Sequence, residues 1–202
     1  YGQRIRFENN TITTLWSTPE DGGILICDAL ETQNKPRVHH FGGESNVIIT
    51  WQDKRNTNLN DIYYQILNEN GESALEPNGR SVCLGEWEKI NPRVKADNTA
   101  AFIVWEDKRN ESLNPNIDIY AQKIDINGNN QWDNGLSISS GEEHQYGVRL
   151  STDGNGGVYF VWEDNRNIDD SDTLKSDIFL QHVNSEDEIS FDVNGYLITD
   201  AL

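Results

Sequence analysis

The apolar positions of the chain come in short runs, and the runs return. One run reads Ile103-Val104-Trp105-Glu106-Asp107-Lys108-Arg109-Asn110, followed by Asp118-Ile119-Tyr120-Ala121-Gln122. Its earlier copy is Ile49-Thr50-Trp51-Gln52-Asp53-Lys54-Arg55-Asn56, then Asp61-Ile62-Tyr63-Tyr64-Gln65. Its later copy is Phe160-Val161-Trp162-Glu163-Asp164-Asn165-Arg166-Asn167, then Asp177-Ile178-Phe179-Leu180-Gln181. An arginine precedes each tryptophan run: Arg37, Arg93 and Arg149, 56 residues apart each time. A glycine and a short apolar stretch follow each copy, at Gly79…Val82, Gly135…Ile138 and Gly195…Ile198.

Each unit therefore predicts four short strands, A to D. A lies near 37–41, 93–96 and 148–151, and B near 46–52, 100–106 and 157–163. C lies near 62–67, 118–124 and 178–183, and D near 80–84, 136–139 and 196–199. Strand B at Ala100–Trp105 is nearly all apolar, which predicts burial on both faces. Asn-Gly turns join C to D. The third copy, Asn184-Ser185-Glu186-Asp187, lacks the glycine and predicts a looser turn. Leu75, Trp132 and Phe191 recur between that turn and strand D, as packing between units.

Four strands in a repeat of this length predict an all-β, propeller-like fold. The opening residues Tyr1-Gly2-Gln3-Arg4-Ile5 align with Tyr120-Ala121-Gln122-Lys123-Ile124. The chain thus opens inside a unit, at strand C, with Ile24-Leu25-Ile26 as strand D. The expected division is a half blade at 1–28 and blades at 36–84, 92–139 and 147–202. Four C–D hairpins with three A–B pairs do not make whole blades. The expected partner is another polypeptide, another copy, or a remainder of the same protein.

Composition narrows the function. The net charge of -18 disfavours a nucleic-acid backbone as partner. It also disfavours anionic membranes, and no apolar run is long enough to span a bilayer. Cys27 and Cys83 follow strand D in successive units. Both a disulfide between neighbouring blades and a pair of free thiols fit that placement, because a bridge depends on a Cα separation that sequence does not give.

The Trp-Glu-Asp-x-Arg-Asn … Asp-Ile-Tyr-Ala-Gln pattern, from Tyr1 to Thr199, resembles repeats in secreted bacterial surface proteins of the Bacteroidetes type. That resemblance implies an extracellular or cell-surface location. The Asp-box order of sialidase-type propellers, Ser-x-Asp-x-Gly-x-x-Trp, is absent, since here Trp precedes Asp.

Candidate chemistry is sparse. Arg37, Arg93 and Arg149 could clamp a carboxylate, but their even repetition favours an architectural place. The same holds for Asp53/Arg55/Asn56, Asp107/Arg109/Asn110 and Asp164/Arg166/Asn167. Such pairs could bond each other, cap turn amides, or hold Asp61, Asp118 and Asp177. No catalytic residue and no transition-metal cluster stands out. Calcium is a candidate at Asp125-x-Asn127-x-Asn129 and at Asp169, Asp170 and Asp172, with hard oxygen ligands. Glu142, Glu143 and His144, in the loop ahead of the third A strand, join Asp169, Asp170 and Asp172 as candidate binding residues. B–C and D–A loops share one edge of the blade, and B–C loops lengthen along the chain. The leading expectation is a structural or protein- or glycan-binding module without catalysis of its own. The alternative is a fragment of a secreted carbohydrate-active enzyme, sialidase- or glycosidase-like.

Overall fold

The structure, a computed structural model, describes residues 1–16, 22–43, 46–110, 116–167 and 176–199. Its strands are β1 (Ile5–Glu8), β2 (Thr11–Thr14), β3 (Gln33–His40), β4 (Val47–Asp53), β5 (Asp61–Leu67), β6 (Arg80–Ser81), β7 (Lys89–Ala96), β8 (Ala100–Asp107), β9 (Asp118–Asp125), β10 (Leu136–Ser139), β11 (Gln145–Thr152), β12 (Val158–Asp164), β13 (Asp177–Val183) and β14 (Tyr196–Thr199). They form one two-stranded sheet, β1-β2, and three four-stranded antiparallel sheets, β3 to β6, β7 to β10 and β11 to β14. These are propeller blades, three whole and one half.

Period-2 alternation decides which face each blade buries. In the middle blade, Ala101, Ile103 and Trp105 of β8 pack against Ile48, Ile62 and Tyr64 of the first. The alternate residues Ala100, Phe102 and Val104 pack against Val158, Phe160 and Trp162 of the third. All eight residues of β8 are consequently buried. Each large apolar side chain so buried stabilises by about 1.5–3 kcal/mol. The half blade covers the other side of the first, laying Trp16, Ile24 and Ile26 over Ile49, Trp51, Tyr63 and Leu67.

The glutamine ending each Asp-Ile-Tyr/Phe segment has a structural task. Its side-chain oxygen accepts from the backbone N–H of Trp16, Leu75, Trp132 or Phe191, for Gln3, Gln65, Gln122 and Gln181 respectively. Its amide donates back to a carbonyl of the same loop, at Gly22, Glu76, Trp132 and Asp192. Trp16 is therefore the half blade's counterpart of Leu75, Trp132 and Phe191.

Three boundaries differ from expectation. The A strands begin about four residues early, because each carries a β-bulge, at Asn34/Arg37, Ile90/Arg93 and Tyr146/Arg149. Polar residues ahead of the bulge still pair with strand B, which apolar patterning does not signal. Strand D of the half blade is a single bridge, Gly2 to Ile24, while β1 and β2 extend the hairpin beyond it. The third C–D turn is no looser than the others. Asp187 adopts φ 66°, close to the 79° of Gly128. Both close the same hydrogen bond, 3.1 Å for Asp187 N–H to Asn184 O and 2.9 Å for Gly128 N–H to Asp125 O.

Candidate ligand-binding site

The Trp-x-Asp-x-Arg segments build a corner repeated in all three blades. Trp51, Trp105 and Trp162 are 4%, 0% and 2% exposed. Each indole N–H donates to the aspartate two residues on, at 2.8, 2.7 and 2.9 Å. The same aspartate takes the backbone N–H of Arg55, Arg109 or Arg166 and pairs with its guanidinium. The guanidinium then lies over Tyr63, Tyr120 or Phe179, 3.8, 3.5 and 4.1 Å from the ring centre. Burial pushes the Asp53 carboxyl up, but hydrogen bonds from Arg55 and Trp51 outweigh it and hold it below its ordinary range. Of the expected roles, pairing and turn capping are realised. Asp118 and Asp177 are instead held by Asn110 and Asn167, and Asp61 by Lys89.

The arginines also join blades. Arg55 and Arg166 reach back to Cys27 Sγ and Ser139 Oγ on the preceding unit, both at 3.2 Å. Asn78, Asn134 and Asn194 accept the backbone N–H of Asp28, Leu84 and Ser140 across the same junctions. This corner is architectural, with both oxygens of each repeated aspartate engaged.

The disulfide is not formed: Cys27 and Cys83 are both free. Cys27 faces Arg55 and Asp53. Cys83 is buried in the next corner, within the field of Lys89, Asp107 and Arg109. Equivalent places in successive blades lie in successive junctions, so repetition itself separates the two sulfurs.

A different situation holds at the innermost strands. The bulges in β3, β7 and β11 end at Arg37, Arg93 and Arg149, and Arg93 lies within the field of the other two. Burial, and then the positive charges of Arg37 and Arg149, hold Arg93 below its ordinary range, with Glu106 opposing. Each guanidinium donates to a carbonyl of its own strand, Pro36, Pro92 or Val148. Among the described residues none is ion-paired to a carboxylate. Glu106 has both oxygens engaged across the blade junction, by Asn91 Nδ2 at 2.6 Å and Gly147 N–H at 3.0 Å. Arg93 thus lies in the field of two like charges, opposed by Glu106 but by no carboxylate in direct contact among the described residues, in a chain that is strongly acidic overall.

The other predicted residues fall elsewhere. The side chains of Glu142, Glu143 and His144 are exposed, just ahead of β11. Their contribution is mostly through the main chain, with the carbonyls of Glu142 and Glu143 accepting from Gln145. His144 Nδ1 accepts from Ile117 N–H at 3.1 Å. Asp169, Asp170 and Asp172 lie outside the described residues. In Asp125-Asn129 the carboxylate is spent on its own turn, on Asn127 and Asn129. Among the described residues no three His, Cys, Asp or Glu side chains gather as metal ligands would.

Two apolar surfaces remain uncovered. A groove of 470 Å³ runs between Tyr1–Arg4 of the half blade and Pro36, Val38, Val47 and Ile49 of the first blade. Val38 is 64% exposed, whereas its equivalent Val94 is 6% exposed. On the third blade β12 and β13 alternate between buried and open residues, leaving Tyr159 and Val161 exposed.

Sequence patterning missed three features. Asn78, Asn134 and Asn194 stood directly before the repeated glycines and could have been found there. Trp16 was hidden by the longer hairpin of the half blade. A linked trio, Asp153 Oδ2 to His182 Nε2 at 3.0 Å and His182 Nδ1 to Ser190 Oγ at 2.8 Å, was hidden by sequence separation. It places Ser190 on Nδ1 and leaves His182 stacked on Tyr159, with ring centres 4.2 Å apart. We read it as a tie within the third blade.

No family model and no curated protein matches the chain. Solved structures do. The α-L-arabinofuranosidase of Fusarium graminearum with an iminosugar inhibitor is similar with a TM-score of 0.52 at 11% identity, over 92% of this chain and 59% of that one. The family GH93 α-L-arabinofuranosidase of Fusarium graminearum with arabinobiose gives 0.52 at 10% identity, over 93% and 54%. The chain therefore spans between half and two thirds of those structures, and the likeness is one of fold: a β-propeller.

Proposed function

We propose that this chain is part of an extracellular β-propeller whose inner strands bind an acidic glycan, one carrying carboxylate groups. The observation that carries this reading is the convergence of Arg37, Arg93 and Arg149 without a carboxylate partner among the described residues. Guanidinium groups present paired donors that match a carboxylate. The overall charge does not forbid it, because charges beyond about 8 Å are largely screened at physiological salt. The glycan class is supported by the fold likeness to arabinofuranosidases, and the location by the repeat pattern. The open groove and the bare face of the third blade support completion of the propeller by further blades.

A second reading, a portion of a glycosidase, is favoured by the same fold likeness. Glycoside hydrolysis requires two carboxylates flanking the bond. Glu106, the carboxylate that acts on Arg93, has each oxygen engaged once, by Asn91 and by Gly147. The fold likeness thus supports the glycosidase reading, and the arginine cluster the binding one.

Calorimetric titration with oligogalacturonate and with neutral arabino-oligosaccharide tests it. The acidic ligand should bind and the neutral one should not. Arg93→Ala should weaken binding about tenfold or more, as expected for loss of a charge-assisted hydrogen bond. Arg80→Ala, on the outer strand β6, should leave it unchanged. Equal binding of the neutral sugar, or indifference to Arg93→Ala, overturns the proposal. Release of sugar from either oligosaccharide would favour the glycosidase reading instead.

A further inference from the structure

The two junctions between whole blades share a main-chain frame, and one of the side-chain exchanges within it is at Lys89. At the first, Lys89 opens β7 and is fully buried. Its Nζ lies 3.1 Å from Asp61 Oδ1 and donates to the carbonyls of Gly85 and Trp87, at 3.0 and 3.4 Å. At the second, the corresponding residues are Gln145, opening β11, and Asp118, opening β9. The main chain is conserved between the two: Lys89 N–H donates to Asn60 O at 2.8 Å, and Gln145 N–H to Ile117 O at 2.7 Å. The strand registers also correspond, with Lys89 opposite Asp107 and Gln145 opposite Asp164.

Glutamine cannot replace what the lysine supplies. Its Nε2 donates to the carbonyls of Glu142 and Glu143, at 3.0 and 2.8 Å. That fixes the amide orientation, since the reverse would set oxygen against two carbonyl oxygens. Among the described residues, Gln145 Oε1 is then left buried without a donor. Asp118 Oδ2 takes Asn110 Nδ2 at 2.8 Å, and among the same residues its Oδ1 has no donor. Asn116 gives its Nδ2 to Gly141 O at 2.8 Å, and its Oδ1 likewise has none there. Asp118 and Gln145 are 0% exposed and Asn116 is 5% exposed. Buried polar atoms are almost always satisfied, so three in one junction need a common explanation.

We propose that Asn116 Oδ1, Asp118 Oδ1 and Gln145 Oε1 bind a hard metal cation of the calcium class, in the place taken by the Lys89 ammonium one blade earlier. All three atoms are oxygens, two of them amide oxygens, which calcium accepts together with carboxylate and main-chain carbonyl. A water molecule has two protons to give to three acceptors, and it leaves the buried carboxylate charge uncompensated. A cation meets both needs. The site differs from the acidic loops singled out by spacing, and it ties the loop of Glu142–His144 to the neighbouring blade.

The test uses the whole chain, stripped with chelator and held at constant ionic strength with choline chloride. Thermal unfolding and calorimetry are followed on adding calcium, and separately sodium. The parent should gain roughly 5–10 °C at about a hundredfold excess over Kd. Asp118→Asn should lose this response. Gln145→Lys should restore the Lys89–Asp61 arrangement, unfolding at a high temperature without added metal and ignoring both cations. It keeps the test informative if Asp118→Asn fails to fold. A response to sodium but not to calcium supports cation binding and reassigns the site to a monovalent ion. A parent indifferent to both cations, or a calcium response that persists in Gln145→Lys, overturns the proposal.

Discussion

A Cβ placed on Gly135 would lie 2.8 Å from Cη2 of Trp105, at a backbone φ of 84°. The glycine ahead of strand D is thus fixed by the tryptophan of strand B. Gly79 and Gly195 stand in the same relation to Trp51 and Trp162. Gly135→Ala combines left-handed strain with a clash against a large, fully buried ring, and should cost about 2–4 kcal/mol. Trp105→Ala removes the ring and should cost about 3–5 kcal/mol. Urea unfolding measures both. A loss below about 1 kcal/mol for Gly135→Ala would mean that the indole moves aside freely.

The two thiols should behave unequally. Burial, opposed chiefly by Lys89, pushes the Cys83 thiol up to about 12. Cys27 is also raised by burial, though it is only partly covered. Since the thiolate is the reactive form, a disulfide reagent at pH 8 should leave Cys83 in the native protein untouched over minutes. Unfolded without reductant, the protein should titrate two thiols. None would restore the bridge that matched positions in successive repeats had allowed.

The blades were legible because strand B announces itself. Ala100 to Trp105 is apolar on both faces, and its copies align by the Trp-x-Asp-x-Arg sequence alone. The arginines of the proposed site were legible as a repeat. Equal spacing of Arg37, Arg93 and Arg149 reads as architecture, yet Arg93 lies in the field of the other two. The proposed cation junction was illegible for another reason. It appears only when Gln145 is set against Lys89 in space, and when partners are assigned atom by atom. At Asp125–Asn129 the Asn-Gly hairpin legible in the sequence explains the stretch better than a cation does, since its turn engages the carboxylate.

Acid should loosen the blade corner at Asp53. Its carboxyl is held below its ordinary range by Arg55 and Trp51 despite burial. A depressed carboxyl gives stability that is complete above the unfolded value, near 4. That stability is lost as pH falls through the folded value. Asp61, raised by burial, acts oppositely and weakens the fold as pH rises above about 4. Asp53→Asn should therefore be less stable than the parent by about 2 kcal/mol at pH 7. The gap should close between about pH 4 and pH 2. Comparing variant with parent cancels the general relief of charge repulsion in acid. Parallel profiles would show that titration of Asp53 contributes nothing.

The half blade offers the most direct construction. Tyr1 occupies the place of Tyr120, and Gly2 pairs with Ile24 as Ala121 pairs with Leu136. The A–B pair that would flank Tyr1–Ile5 is represented by the groove over Val38, Val47 and Ile49. Fusing a copy of residues 89–119 ahead of Tyr1 reproduces the spacing of the middle blade. The added strands should enter that groove, bury Val38 and pair with the free edge at Tyr1–Arg4. Burial of one valine is worth about 1.5 kcal/mol, and main-chain pairing of an open strand edge removes an association hazard. The fusion should unfold at a higher temperature, and the amides of Gln3 and Ile5 should exchange more slowly with deuterated solvent. The same segment fused after Leu202 should protect neither. Unchanged exchange at Gln3 and Ile5 in the first fusion would refute the groove as the seat of an A–B pair.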